Sequence, residues 1–329
     1  MKIAILTSRS RLESYSDPAM IPADAELIHI GPSYTDADVI AQAKDAEAIV
    51  VDAVLPVSAA VIEALPKLKI IHSEGVGYNR IDTDAAAKAG VFVCNNRALN
   101  AGQVAEHSVM LILAVLRRLS EGDEMVRTGH QIEAKQQFIM DGLRDLIGCR
   151  VGIVGFGAIG KELARRLAPF GCEVCYYDVF RASAEVETQY GVRYLPQDEL
   201  LATSDIVSLH LPVTPETTDF ICAETIARMK TGAVVINCAR GLIVNSADLA
   251  DAIRSGKIYG AGIDTLDPEP VQPDDPLIRL PEPWSWRVIF TPHVAGTTRS
   301  VFFAAYRGVW SNISRVAAGE RPINIVNGL

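Results

Sequence analysis

The segment Val151-Gly-Ile-Val-Gly-Phe-Gly-Ala-Ile-Gly160, with its continuation to Asp178, decides how this chain is built. Residues 151–154 form a short apolar run that reads as a buried strand, and Gly155, Gly157 and Gly160 follow at G-x-G-x-x-G spacing. Ile159, Leu163, Leu167 and Phe170 then recur at helical spacing, and 173–177 is a second β-type run ending at Asp178. Each part has a task if the ligand is a dinucleotide. Gly155 makes the tight turn, Gly157 admits a pyrophosphate to the backbone, and Gly160 lets helix and strand pack closely. The first helical residues, Ala158 and Ile159, present unpaired N–H groups where the helix dipole favours negative charge. Asp178 is placed to accept hydrogen bonds from the adenosine ribose. A lone glycine triplet is weak evidence; agreement of strand, helix and acid makes an incidental turn the poorer reading.

The rest of the chain frames this unit. Its 329 residues allow two domains, and 49% hydrophobic with 22% charged residues is the balance of a globular protein with ample core. A net charge of −9, with no basic stripe, argues against a nucleic acid partner. The longest apolar run, 109–116, is far short of the ~18 residues that suggest a bilayer span. The N-terminus reads as a first strand and not as a signal peptide, so no membrane association and a cytoplasmic location are expected. Six scattered cysteines read as reduced, buried thiols. Cys172 and Cys175 have C-x-x-C spacing, but no second pair completes a tetrahedral site, and no metal is expected.

Upstream of the glycine turn, strands are expected at 2–6, 26–30, 48–51, 68–72 and 91–94. Helices are expected between them, with Thr35, Ser58 and Asp82 as N-caps. Strands alternating with helices predict a parallel sheet covered on both faces. Residues 101–119 read as one long, nearly all-apolar helix suited to a domain or subunit junction, and 120–148 as an arm or irregular connection. Strands are next expected at 205–209, 233–237, 259–263 and 288–291. A proline-rich loop covers 267–286, and a closing helix runs over about 298–318.

In open α/β sheets ligands bind beyond the carboxyl ends of the strands. That rule selects Arg240 after strand 233–237, Asp264 and Glu269 after 259–263, and His293 after 288–291. Arg240 offers a donor fork matched to a carboxylate. His293 is the side chain best suited to exchange a proton near neutral pH. Glu269, if it lies against His293, favours the imidazolium. Singly, each has a duller reading as an ion-pair, solvated or turn residue; together, on the rim of the dinucleotide, they describe hydride transfer at the carbon whose hydroxyl His293 deprotonates. His29, His72 and His107 read as core or boundary residues, whereas His210 falls on the same rim.

These motifs resemble the D-isomer-specific 2-hydroxyacid dehydrogenases. The match runs through Gly75-Val-Gly-Tyr-Asn-Arg-Ile-Asp82, Val104-Ala-Glu-His107, the glycine turn with Asp178, Ser208-Leu-His-Leu-Pro212 and Asn237-Cys-Ala-Arg-Gly241. It continues through Pro268-Glu-Pro270, Thr291-Pro-His-Val-Ala-Gly296 and Pro322-Ile-Asn-Ile-Val-Asn327. The resemblance implies NAD as cofactor and a small 2-hydroxy or 2-oxo acid as substrate. It implies that Arg240 orients the substrate, that His293 is the acid/base and that Glu269 is its partner. Val76 and Gly77 then offer backbone N–H groups to the substrate carboxylate, and Asp264 lies near the nicotinamide carboxamide. Val104, His210, Pro212, Thr217 and Cys238 match cofactor-lining positions, with Ala239, His293 and Ala295 beside them. The implied fold is α/β with two doubly wound parallel-sheet domains. A Rossmann NAD-binding domain (101–297) is inserted into a flavodoxin-like substrate domain (1–100 and 298–329), with the active site in the cleft and a homodimer formed through the cofactor domain.

Phosphoglycerate-specific relatives carry an Arg-Ser pair where this chain has Asp52-Ala53, and often a further C-terminal domain where this chain stops at Leu329. A smaller unphosphorylated 2-oxo acid is therefore expected. Thr265-Leu266 stands where Val-Phe is usual, a packing change without mechanistic weight. The charge of Asp178 repels a 2′-phosphate and so favours NAD over NADP, although Arg181, three residues on, softens that argument. A second class stays open, an NAD(H)-sensing, co-repressor-like binding protein on the same scaffold, because such relatives keep the same three residues.

Overall fold

In a computed structural model that describes residues 1–329, the chain divides into two compact units. Unit 1 comprises Met1–Asn100 and Thr297–Leu329, and unit 2 comprises Ala101–Gly296. No helix is long and apolar enough to cross a membrane.

Unit 1 is built on five strands, β1 (Lys2–Leu6), β2 (Glu26–His29), β3 (Ala48–Val51), β4 (Ile70–Ser73) and β5 (Phe92–Cys94). They pair in parallel in the order β2-β1-β3-β4-β5, the flavodoxin-like order. Both faces are covered, so the central strands are fully buried. One face carries the helices that the caps announce: Thr35 forms a capping box with Asp38, Ser58 accepts from Val61 N, and Asp82 accepts from Ala85 N at 2.9 Å. Each such cap contributes about 1 kcal/mol. The other face is closed by the helix Arg299–Ala317, which lays Tyr306, Val309, Trp310 and Ile313 against Ile3, Ile5 and Ile70. A helix at Arg9–Tyr15, which lacks a regular apolar stripe in the sequence, packs on the same side.

Unit 2 holds β6 (Arg150–Val154), β7 (Glu173–Tyr177), β8 (Arg193–Tyr194), β9 (Ile206–Leu209), β10 (Ala233–Asn237), β11 (Ile258–Ile263) and β12 (Val288–Phe290). The order is β12-β11-β10-β9-β6-β7-β8, all parallel. Counted within the unit, this is the Rossmann order 3-2-1-4-5-6 with a seventh strand added, and the order reverses between β6 and β9. The two-residue β8 is too short to read from sequence.

Residues 101–148 correct two expectations. The apolar helix spans Ala101–Leu116, and the chain then breaks at Arg118, which is left-handed at φ 51°. Arg118 is buried and bonded to Glu121 and Asp141, with its guanidinium 4.5 Å from the Phe138 ring centroid. The expected irregular arm is two helices, Leu119–Arg127 and Gln131–Asp141. Their apolar residues Leu119, Val126, Ile132, Ile139 and Met140 are exposed alongside polar ones such as Asp123, Glu124 and Arg127.

One polar contact pins unit 1 together. Buried Asn312 donates through Nδ2 to Ile323 O at 3.0 Å and accepts from Ile323 N at 2.9 Å. Its Nδ2 also lies 3.0 Å from His72 Nε2. Burial pushes His72 down to about 4, so the imidazole is neutral and Nε2 can accept. Asn312→Ala leaves His72 Nε2 buried without a partner and removes two part-buried bonds to Ile323, and should cost about 2 kcal/mol, seen as a lower urea midpoint. An unchanged midpoint would show that this contact carries no net stability.

Candidate active site and dinucleotide site

The turn after β6 is shaped by lack of space. Gly155 has φ +95°, and a Cβ there would stand 2.4 Å from His210 O. A Cβ at Gly160 would stand 2.3 Å from Gly155 O. Both positions therefore admit only glycine without backbone movement. Gly157 differs: a Cβ there would meet nothing within 4 Å. It caps the helix Ala158–Leu167 with no side-chain bond, leaving the first amides of the helix without a side-chain acceptor. Closed on two sides and open on the third, at a helix N-terminus and at the strand-order reversal, the turn fits the pyrophosphate of a dinucleotide.

Asp178, at the end of β7, is joined to this turn. Its Oδ2 accepts from Phe156 N at 2.7 Å and its Oδ1 from Phe180 N at 3.0 Å, and each oxygen keeps a further lone pair for a ribose hydroxyl. Beyond β9, His210 Nε2 lies 2.9 Å from Ser208 Oγ, while Nδ1 is buried without a partner. Burial holds the imidazole neutral, pushed down to about 4. Thr217 Oγ1 donates to Pro212 O at 2.6 Å and accepts from Thr214 N at 2.8 Å, which shapes the 212–217 turn. Val104, Cys238, Ala239 and Ala295 are buried in unit 2, and burial pushes the Cys238 thiol up to about 12, so it stays protonated.

The three polar candidates follow three adjacent strands. After β10, buried Asn237 ties the turn from both sides: its Oδ1 accepts from Ala239 N at 3.0 Å and its Nδ2 donates to Arg240 O at 2.9 Å. Arg240 Nη1 donates to Ala239 O at 2.7 Å. Burial lowers the guanidinium pKa and the charge of Glu269 opposes this; the group stays cationic, as arginine does in proteins. Gly241 lies flat on the backbone of Leu266 and Asp267, where a Cβ would stand 2.1 Å from Leu266 C. The Arg240 turn and the loop carrying Glu269 are thus in direct backbone contact. After β12, His293 is left-handed at φ 54°, and its Nδ1 lies 2.9 Å from both carboxylate oxygens of Glu269. An ionised carboxylate only accepts, so Nδ1 carries a proton and Nε2 is the nitrogen left to exchange one.

Asp264, expected near a nicotinamide carboxamide, is also engaged within the protein. It is 3% exposed; Oδ1 accepts from Thr291 Oγ1 and from Val294 N (2.9 Å), and Oδ2 from Ala295 N (3.0 Å). Its own carbonyl accepts from His293 N at 2.8 Å. The carboxylate thereby braces the segment that presents His293. His107, expected to be a core or boundary residue, reaches Thr291 Oγ1 at 2.9 Å from the helix Ala101–Leu116. No spacing rule links residues 107 and 291, so sequence periodicity could not expose this contact.

Val76 and Gly77 belong to unit 1, just beyond β4. Their carbonyls are bound by Asn95 Nδ2 (2.7 Å) and Ser73 Oγ (2.6 Å). Their N–H groups find no acceptor among the hydrogen bonds of the structure. The neighbouring carboxyl edge is acidic: Arg11 is bonded to both Asp52 and buried Glu74.

Fold and geometry define a dinucleotide-dependent oxidoreductase scaffold, and comparison with known proteins agrees. Residues 109–295 match the family model of the D-isomer specific 2-hydroxyacid dehydrogenase, NAD binding domain. A glyoxylate reductase from Korarchaeum cryptofilum is 38% identical over 289 residues, covering 88% of this chain and 85% of that protein. A D-3-phosphoglycerate dehydrogenase from Mycobacterium leprae is 37% identical over 297 residues, 90% of this chain; the chain spans only 54% of that relative's length. The NAD-complexed D-isomer specific 2-hydroxyacid dehydrogenase from Lactobacillus delbrueckii ssp. bulgaricus superposes with a TM-score of 0.79 at 28% identity, covering 99% of this chain and 100% of that one. The chain belongs to the D-isomer specific 2-hydroxyacid dehydrogenase family, and its cofactor is NAD.

The two kinds of glycine in the turn should separate experimentally. Gly160→Ala should lower the thermal midpoint because its Cβ has no room. Gly157→Ala should leave the midpoint in place and weaken NADH binding on the order of tenfold, about 1.4 kcal/mol. Equal effects of both substitutions on folding would refute the distinction.

Proposed function

We propose that this protein interconverts a small, unphosphorylated D-2-hydroxy acid and its 2-oxo acid, with NAD as the redox partner. The carrying observation is the His293–Glu269 pair, set on the same sheet edge as the glycine turn and flanked by Arg240. NAD, held by the 155–160 turn and Asp178 with Val104, His210, Pro212, Thr217, Cys238, Ala239 and Ala295 lining the site, supplies the hydride donor and acceptor.

The residues divide the remaining work. Glu269 fixes the Nδ1–H tautomer of His293 and stabilises the imidazolium when a second proton arrives. His293 Nε2 gives that proton to the substrate oxygen during reduction and takes it back during oxidation. Arg240 orients the 2-oxo acid through its donor fork. Val76 and Gly77 N–H groups receive the substrate carboxylate. Preference for an unphosphorylated acid rests on Asp52 and Glu74, whose charges outnumber that of Arg11 at the carboxyl edge of unit 1. The similarity to a glyoxylate reductase over most of both chains supports the same choice.

Purified protein with NADH should reduce at least one of glyoxylate, hydroxypyruvate and pyruvate. NADH binding without turnover of any of them would shift the reading to a ligand-sensing protein. His293→Ala should lower turnover by ~10²–10⁴-fold, the scale of a lost general acid/base. Unchanged turnover would remove His293 from the reaction.

The exposed apolar residues of Leu119–Arg127 and Gln131–Asp141 are proposed to meet a second copy of this chain, forming a homodimer through unit 2. Light scattering should give a dimer mass for the native protein and a monomer mass for the Ile139→Asp, Met140→Asp variant. A native monomer would end this reading.

A further inference from the structure

The loop after Asp178 carries an arginine whose charge is already engaged. Arg181 donates from Nε to Glu187 Oε1 at 2.9 Å and from Nη2 to Glu187 Oε2 at 3.2 Å, and its guanidinium lies 5.1 Å from the Tyr194 ring centroid. Most surface ion pairs are loose, but this one has a fixed acceptor. Glu187 Oε1 also accepts from Tyr176 OH at 2.9 Å, and that hydroxyl accepts from Ala182 N at 2.9 Å. Tyr176 is fully buried, stacked on Phe156 with ring centroids 4.2 Å apart and edge-on to Tyr194 at 5.5 Å. Phe156 is itself part of the glycine turn and donates its N–H to Asp178. The acceptor for Arg181 is therefore mounted on the same aromatic stack that supports the dinucleotide site. The Glu187 side chain is 15% exposed, whereas that of Arg181 is 63% exposed.

We propose that Glu187 is a specificity-determining residue that withholds Arg181 from the 2′ position of the cofactor. In this fold an acid at the end of the second strand serves the ribose 2′-hydroxyl, and an arginine nearby is what accommodates a 2′-phosphate. This chain has both groups within four residues, which by itself leaves the choice of cofactor divided. The carboxylate of Glu187 resolves it. Nε and Nη2, one edge of the guanidinium fork that could grip a phosphate bidentately, are engaged by Glu187, and turning that edge to a phosphate breaks two charge-assisted bonds. NADP is thus disfavoured twice, by the charge of Asp178 and by the engagement of Arg181. The selectivity lies in the Arg181–Glu187 pair as much as in the aspartate.

Direct titration of NADH and NADPH, followed by the fluorescence of the bound reduced cofactor at low salt, tests this without turnover. It rests on the dinucleotide site alone, so its outcome is separable from that of the 2-oxo acid assay. Glu187→Gln keeps an acceptor for Tyr176 but loses the charge. It should tighten NADPH binding about tenfold and leave NADH binding within about twofold. Adding Arg181→Ala to that variant should abolish the gain. Arg181→Ala in the native background should leave NADPH binding unchanged, because the arginine is already engaged. An unaltered NADPH-to-NADH ratio in Glu187→Gln, a gain that survives in the double variant, or a loss of NADPH affinity in Arg181→Ala alone would each overturn the proposal.

Discussion

All twelve strands run parallel to their neighbours, and a parallel sheet discharges every strand at the same edge. Within unit 2 the segments after β6, β7, β9, β10, β11 and β12 all emerge there, and they contain Gly155, Asp178, His210, Arg240, Asp264 and His293 in turn. The strand interiors are mostly aliphatic and buried, with polar side chains such as Ser208 and Asn237 confined to the carboxyl-end positions. The sheet acts by arranging short polar segments in a row, and its register determines which of them become neighbours. Arg240, Glu269 and His293 are brought together because β10, β11 and β12 are adjacent, although more than fifty residues separate the first from the last.

Adjacency alone would not orient the imidazole, and that precision comes from Asp264. A carboxylate with so little exposure would be costly if unpaired, so all of its bonds matter. They go to the backbone and hydroxyl of 291–295, which holds His293 in a left-handed conformation that a non-glycine residue seldom adopts. His107 closes the far side of the same bracket through Thr291. The charge of Asp264 serves the loop as a fixed acceptor, and the more exposed His293–Glu269 pair stands apart from it.

Much of this was legible in the chain because local rules and tertiary structure agree. The glycine turn, the caps at Thr35, Ser58 and Asp82, and the polar residues after strands 233–237, 259–263 and 288–291 all carry local signatures. What escaped did so for identifiable reasons. The helix Gln131–Asp141 has little contrast between its faces, and Leu119–Arg127 is short, contains Gly122 and turns Leu119 and Val126 outward, so neither stands out by periodicity. Arg118 breaks the preceding helix through a left-handed backbone stabilised by Glu121 and Asp141, and no proline or glycine announces the break. The bracing role of Asp264 and the contact of His107 depend on partners distant in sequence. The Arg181–Glu187 pair joins the helix Ala184–Tyr190 to a loop whose course is set by Asp178 accepting from Phe180 N, a bond invisible to periodicity.

The pin between Asn312, His72 and Ile323 has a consequence for biosynthesis. Unit 1 is assembled from the two ends of the chain: Val93 N donates to Asn327 Oδ1 across 234 positions, and Asn96 Nδ2 donates to Ala305 O across 209. Trp310 and Tyr306 close one face of its sheet, and neither exists when the first hundred residues leave the ribosome. Unit 2 is contiguous and complete before that face can be covered. Synthesis therefore passes through an interval in which Ile3, Ile5 and Ile70 lack the apolar cover that Tyr306, Val309, Trp310 and Ile313 provide. The nascent chain is most exposed to aggregation and to chaperone capture then, until the last helix arrives.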